Sequence, residues 1–193
     1  MMAATQRELF AGSDLPEGFR YAGDVLTETQ GRTLAEQFAT LPFKPFEFHG
    51  YLGKRRIVSF GYRYDYGARA LRDSTALPGF LLALREIAAE FARLPAENFE
   101  QALVTEYAPG AGIGWHRDKP MYSEVIALSF LAPCMLRFRR KRGDSWDRRK
   151  QSLAPRSAYL LSGAARWEWY HSIPGVDALR YSVTFRNFVP ERR

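Results

Sequence analysis

Arg180-Tyr181-Ser182-Val183-Thr184-Phe185-Arg186 alternates at every step. Tyr181, Val183 and Phe185 share one side with Leu179, while Arg180, Ser182, Thr184 and Arg186 share the other. A period of two is the signature of a strand, because successive side chains point to opposite faces. The apolar side is a packing face. The opposite side, two arginines with two hydroxyls between them, reads either as a salt-bridged surface strand or as the wall of an anion site. Six residues of strand span roughly 20 Å. Arginine side chains leaning toward each other over that distance can hold a small dicarboxylate by charge-assisted bonds.

Working back from this strand, the chain from residue 100 is a series of short β patterns. Gln101 to Ala108, Val125 to Leu131, Met135 to Arg140, Arg148 to Leu153, Ala158 to Leu161 and Trp167 to Ile173 read as strands, with turns at Pro109-Gly110-Ala111-Gly112, Gly143-Asp144 and Ser162-Gly163. Such a series indicates an all-β sandwich or barrel. Two helices precede it. Thr27 to Gln30 offers a capping box, and Leu34, Phe38 and Leu41 follow at helical spacing, so a helix is expected over 27–41, ended by Pro42. Pro78 to Leu94 carries the stripe Phe80, Leu81, Leu84, Ile87, Ala88, Phe91 and is closed by Pro95. The 193 residues fit a single domain, with residues 1–23 as an irregular arm and 100–188 as the β core.

Between the helices lies an aromatic region, residues 43–67. Phe60, Tyr62, Tyr64 and Tyr66 alternate, and a strand or hairpin would put all four on one face. Lys54-Arg55-Arg56 sits between them and an earlier cluster of Phe43, Phe46, Phe48 and Tyr51. One reading is an aromatic face packed on the core with a solvated basic turn. The other is a lid over a flat, anionic substrate. The segment Arg137 to Lys150 holds eight basic residues and reads either as a solvated hairpin or as a phosphate-contacting edge.

The chain has three histidines. His116 belongs to Trp115-His116-Arg117-Asp118-Lys119-Pro120-Met121, where an imidazole and a carboxylate stand two residues apart. In extended backbone they share a side and can occupy neighbouring positions on a metal. His171, on a late strand, would complete a 2-His-1-carboxylate face, which leaves open positions and suits non-haem Fe(II). His49 lies in the aromatic region.

The net charge is +7, from 28 basic and 21 acidic residues, and aromatics make up 15%. Both features are compatible with a nucleic-acid partner, and the charge with solubility alone. No membrane span is expected, since no stretch approaches 18 apolar residues. Met1 to Gly12 lacks the apolar centre of a signal peptide. Cys134 is the single cysteine, which excludes an internal disulfide and fits a reducing, cytoplasmic setting.

Taken together, Tyr107-X-Pro109-Gly110, His116-X-Asp118, His171 and Arg180-X5-Arg186 resemble the AlkB family of Fe(II)- and 2-oxoglutarate-dependent dioxygenases, over about residues 100–188. The resemblance implies a double-stranded β-helix (jelly-roll) core behind N-terminal helices. It implies iron ligands at His116, Asp118 and His171. It places 2-oxoglutarate contacts at Tyr107, Arg180 and Arg186, with Thr105 and Ser182 beside them, and a nucleotide-recognition lid over 43–67. Phe60, Tyr62, Tyr64, Trp115 and Arg56 are the expected substrate contacts, aromatic rings stacking on a flipped base. The implied reaction uses dioxygen to remove N-alkyl lesions from DNA or RNA, with formaldehyde and succinate released by a monomer. Three positions depart from the founding bacterial members. Pro120 stands where they carry a second acid, so a carboxylate contact to the base's exocyclic amine is not supplied there. Thr105 and Ser182 stand where they carry asparagines, and a hydroxyl reaches less far than an amide. Other branches of the family act on tRNA modifications or protein side chains, which is the alternative.

Overall fold

A computed structural model describes residues 15–48, 51–65 and 70–189. The two expected helices are α1, Glu28–Ala39, and α2, Gly79–Ala92. At the start of α1 the Thr27 hydroxyl accepts from the Gln30 amide at 3.2 Å, and the Gln30 side chain accepts from the Thr27 amide at 2.9 Å. This reciprocal cap satisfies two otherwise unpaired donors. Gly31, Ala35 and Phe38, spaced by four and three, form its buried stripe.

Helix α2 ends two residues before Pro95, at a left-handed Arg93 with φ 61°. The Arg93 amide donates to the Glu90 carbonyl and the Leu94 amide to the Ala89 carbonyl, both at 3.1 Å, a Schellman closure. A side chain in that conformation costs roughly 1–2 kcal/mol, less the extra chain entropy of glycine. Arg93→Gly is therefore expected to raise stability by about 0.5–1 kcal/mol, seen as a rise of about 2 °C in the thermal midpoint.

The strands form two packed sheets. The larger is built from β1 (Phe19–Ala22), β2 (Lys44–Phe48), β3 (Tyr51–Phe60), β6 (Gln101–Tyr107), β8 (Tyr122–Leu131), β11 (Ala158–Leu161) and β13 (Arg180–Phe188), in the spatial order β1-β11-β8-β13-β6-β3-β2. The smaller is β10-β9-β12-β7, from β7 (Ile113–His116), β9 (Cys134–Arg142), β10 (Ser145–Leu153) and β12 (Tyr170–Ile173). A ribbon of β4 (Tyr62–Asp65) and β5 (Ala70–Asp73) follows β3, and a short helix α3 (Gly163–Trp167) links β11 to β12. This is the expected jelly-roll core behind N-terminal helices. No helix among the described residues is long and apolar enough to cross a membrane.

One hydrophobic cluster joins α1 and α2 to the outer face of the larger sheet through Phe38, Leu81, Leu84, Ile126, Leu128, Phe130, Val183 and Phe185. The second fills the space between the sheets, with Val125, Ala127, Leu136, Phe138, Leu161 and Trp169. Strand β8 is thus covered on both faces and buried from Val125 to Phe130, which explains a run that is apolar but for Ser129.

Three expectations need correction. Phe19–Ala22, placed in an irregular arm, is a strand pairing antiparallel with β11, Phe19 opposite Leu161. It is four residues long and flanked by Gly18 and Gly23, so turn signals masked it. Residues 1–14 of that arm lie outside the described residues. The stretch Trp167 to Ile173 is split between the end of α3 and β12, because Trp167 closes the helix and pairing begins at Tyr170. The aromatic alternation 60–66 does not form one face. Gly61 breaks it at φ 74°, where an added Cβ would lie 1.9 Å from the Glu100 carbonyl oxygen. Phe60 ends β3 inside the core, while Tyr62 begins a separate ribbon. His49 and Tyr66 lie outside the described residues.

Candidate metal centre

Strand β12 pairs with β7 so that His171 and His116 are direct cross-strand partners, with ring centroids 4.2 Å apart. Their meeting is a consequence of register. Asp118, two residues past His116, returns its carboxylate to the same side, and one donor atom from each residue lies within 4.8 Å of the others. Asp118 Oδ2 is 3.5 Å from His171 Nε2. His116 Nδ1 lies 2.9 Å from the Gly114 carbonyl. That oxygen can only accept, so Nδ1 carries the proton and Nε2 presents its lone pair to the cluster.

Arg186 orients the carboxylate. Its Nε donates to Asp118 Oδ1 at 3.0 Å, its Nη2 lies 2.9 Å from the same oxygen, and its Nη1 donates to Gln101 Oε1 at 2.9 Å. Both Arg186 contacts fall on Oδ1, which leaves Oδ2 directed at His171. Burial alone would raise the Asp118 pKa, but the Arg186 charge overrides it, helped by His171, His116 and Arg166, and holds the carboxyl well below the usual carboxylate range. Burial and the neighbouring His116 push His171 down to about 3, against the pull of Asp118. Burial also lowers His116, partly offset by Asp118 and the Gly114 carbonyl. At neutral pH the three groups are therefore two neutral imidazoles and a carboxylate, the donor set that suits Fe(II) with open positions.

The polar side of β13 points between the sheets, so the surface-strand reading of Arg180–Arg186 is overturned: Arg180, Ser182 and Thr184 are all buried. Arg180 sits 1% exposed with its guanidinium 4.9 Å from the Tyr107 ring, opposite in register. Its Nη2 donates to Ser129 Oγ at 2.9 Å, while Nε and Nη1 are buried with no partner among the described residues. In the adjoining row Ser182 stands between Thr105 and Ser129 on its two neighbouring strands. The two arginines do not clasp one small anion between them. Arg186 is tied to Asp118 and Gln101, so the guanidinium with donors to spare is Arg180.

The expected substrate contacts fare differently. Phe60 is 6% exposed within the helix-side core and cannot stack on a ligand. Trp115 lies on the opposite face of β7 from His116, as alternation requires, under Arg137 and Arg139. Arg56 lies on the helix side of the larger sheet, where its Nε and Nη2 bind Glu106 at 2.7 and 2.9 Å. Its neighbour Arg55 is the member of the basic triplet whose charge reaches His116. Tyr62 packs edge-on against Phe188 near the Arg186 end of β13. Tyr64 is in β4, and its side chain is outside the described set.

Three further residues escaped the sequence reading. Ser129 is a lone hydroxyl in an apolar strand, a signal that could have marked it. Gln101 opens β6 with nothing to distinguish it. Arg166, on α3, is buried and its Nη2 donates to the carbonyls of Lys119 and Tyr122 at 2.6 and 2.7 Å, pinning the loop that follows Asp118. Nothing in Ser162-Gly163-Ala164-Ala165-Arg166 announces that role.

Residues 22–186 match the model of the 2OG-Fe(II) oxygenase superfamily. The chain belongs to that superfamily. As an AlkB-like dioxygenase by family, it takes Fe(II) and 2-oxoglutarate, and the nitrogen and oxygen donors of His116, Asp118 and His171 fit such an iron. The Arabidopsis thaliana "Alkylated DNA repair protein ALKBH8 homolog" is 33% identical over 162 residues, 70% of this chain and 47% of that one. The Xenopus tropicalis "tRNA (carboxymethyluridine(34)-5-O)-methyltransferase alkbh8" is 26% identical over 171 residues, 82% of this chain and 25% of that one. An uncharacterised protein of Acanthamoeba polyphaga mimivirus, L905, is 31% identical over 106 residues, 48% of this chain and 50% of that one. The oxygenase chain thus spans half or less of the length of these curated relatives. The solved structure of OsALKBH1 shares the fold, with a TM-score of 0.68 and 14% identity, covering 88% of this chain and 98% of that one.

Proposed function

We propose that this oxygenase oxidises an alkyl group carried by a nucleobase of DNA or RNA and so removes it. The observation that carries the reading is the polar lane between the sheets. The metal-ligand triad, with His171 buried, stands at one end, and at the other a buried arginine has two donors without a partner among the described residues. A guanidinium left in that state is costly unless an anion completes it.

When iron and cosubstrate are bound, the metal supplies the oxidising chemistry, one oxygen atom of dioxygen passing into succinate as carbon dioxide leaves and the other becoming a hydroxyl on the alkyl carbon. The chain's own residues do the rest. His116, Asp118 and His171 hold the metal, and Arg186 keeps the Asp118 carboxylate ionised and aimed. Arg180, with Ser129 and the Tyr107 side chain beside it, takes the distal carboxylate of 2-oxoglutarate by charge-assisted bonds. Thr105 and Ser182 offer hydroxyls along the same wall. A hydroxymethyl group left on nitrogen then breaks down to formaldehyde and the bare N–H base.

The names of the Arabidopsis and Xenopus relatives both refer to nucleic acids, and the net charge of +7 is consistent with one. A second reading, oxidation of a modified base within tRNA, is favoured by Pro120, which offers no side-chain acceptor beside the metal loop. Both are tested by loading the protein anaerobically with Fe(II) and 2-oxoglutarate. It is then exposed to air with methylated single- and double-stranded DNA and RNA, and separately with tRNA, and the products are weighed. Loss of methyl mass with matching succinate is expected from an oligonucleotide; a gain of oxygen confined to tRNA selects the second reading. No mass change in any of these nucleic acids would sink both.

A further inference from the structure

We propose that the outer face of the smaller sheet is a docking surface for the phosphate backbone of a single-stranded nucleic acid. The proposal rests on the nucleic-acid reading above and adds where the strand is held.

Alternation sorts the charges of the β9–β10 hairpin onto two faces. On the face turned toward Trp169, two of the three basic residues have acidic partners. Arg149 pairs with Asp147, and Arg140 donates to Glu168 at 2.6 Å. On the other face the cross-strand partners are Arg139 with Arg148 and Arg137 with Lys150, like charges set directly opposite one another. Such pairs destabilise a sheet unless something external offsets them. Lys141 continues the row opposite Trp146. None of these five cations has an acidic partner among the described residues.

The arginines are also held in place. Arg139 lies 4.5 Å from the Trp115 ring and 4.4 Å from the Trp146 ring, and its Nε is buried without a hydrogen-bond partner among the described residues. Arg137 lies 5.2 Å from Trp115, and its Nε donates to Ser172 Oγ at 3.1 Å. Cation–π stacking thus fixes the guanidinium positions without cancelling their charge, so less ordering is lost when phosphates arrive. The face runs on to the metal loop. Arg117 stacks 4.8 Å from Tyr170 on this side, while its neighbours His116 and Asp118 point to the other. A strand lying on the face would pass the edge strand β7 immediately beside the site.

The test measures binding of single-stranded DNA and RNA of one sequence against salt concentration, by anisotropy, in the full chain. The variant is Arg148→Gln/Lys150→Gln, both side chains exposed on β10, the strand farthest from β7 in its sheet. Each lost phosphate contact lowers the slope of log K against log salt by about 0.7 for a single strand. The expected result is a slope reduced by about 1.4 and affinity down more than tenfold near 0.1 M salt, for DNA and RNA alike, with anaerobic 2-oxoglutarate binding unchanged. The control Arg32→Gln/Arg93→Gln removes the same charge from exposed positions on or just after α1 and α2 and should change the slope little. Unchanged binding in the β10 variant, an equal loss in the control, or a parent chain that binds neither strand would overturn the proposal. So would a loss confined to phosphatidylserine vesicles, which would assign the face to a membrane. Methyl removal retained by a β10 variant with unaltered binding defeats the face alone. Binding lost in that variant, with no oxidation of any nucleic acid by the parent, defeats the functional reading alone.

Discussion

Asp118→Ala is expected to abolish iron-dependent succinate release and to leave the protein iron-free after anaerobic loading. The substitution removes the one anionic ligand and strands Arg186. Two of the three nitrogens that Arg186 directs at polar partners close on Asp118 Oδ1, leaving the Gln101 contact as its remaining hydrogen bond among the described residues. Breaking a buried pair by deleting one member costs about 3–5 kcal/mol, because the surviving charge stays buried. For a chain of this length that is roughly 10 °C in the thermal midpoint. Asp118→Asn separates the two effects: an amide oxygen still accepts from Arg186, so most of the stability returns while the charge needed by the metal does not. Metal analysis, succinate assay and a thermal melt on both variants read this out. Iron-dependent turnover surviving in the alanine variant would remove Asp118 from the ligand set.

Arg180→Met moves two quantities in opposite directions. Affinity for 2-oxoglutarate should fall about 10²- to 10⁴-fold, the loss of two charge-assisted hydrogen bonds worth roughly 1.5–3 kcal/mol each. The ligand-free protein should become more stable, by about 1–3 kcal/mol. Arg180 is 1% exposed with two nitrogens unpartnered among the described residues, and a thioether, though shorter, meets none of that desolvation cost. Ser129 Oγ loses its donor, a smaller penalty. This opposition is the mark of a binding group retained at the expense of stability. Arg180→Lys keeps a charge without the fork and should recover only part of the affinity. Anaerobic titration beside a melt checks both signs, and an Arg180→Met protein that binds 2-oxoglutarate as the parent does would dismiss Arg180 as its anchor.

What was legible in the chain was whatever depends on near neighbours. The strict alternation of Arg180–Arg186, the run Val125–Leu131, apolar but for Ser129, the Thr27–Gln30 cap and the i, i+2 placement of His116 and Asp118 are each local in period, and each appears in the fold as read. The metal triad was legible as a set because its spacing resembles a family pattern, although the contact itself is made by register, His171 opposite His116.

What tertiary structure alone decided was which face looks where. A period of two says that Arg55 and Arg56, or Trp115 and His116, point oppositely, but not which of each pair faces the site. The pairing of β3 with β6 sends Arg56 to Glu106, and the pairing of β7 with β12 sends Trp115 outward under the arginines. One left-handed residue, Gly61, buried Phe60 and broke a run that looked continuous. The polar side of β13 is a buried lane because a second sheet closes over it. Arg166 joined the site from helix α3 and Gln101 from the start of strand β6. The physical reason is common to all of these. Side-chain periodicity is set within a few bonds, whereas register and sheet stacking are set by contacts between distant segments, and no local pattern records them.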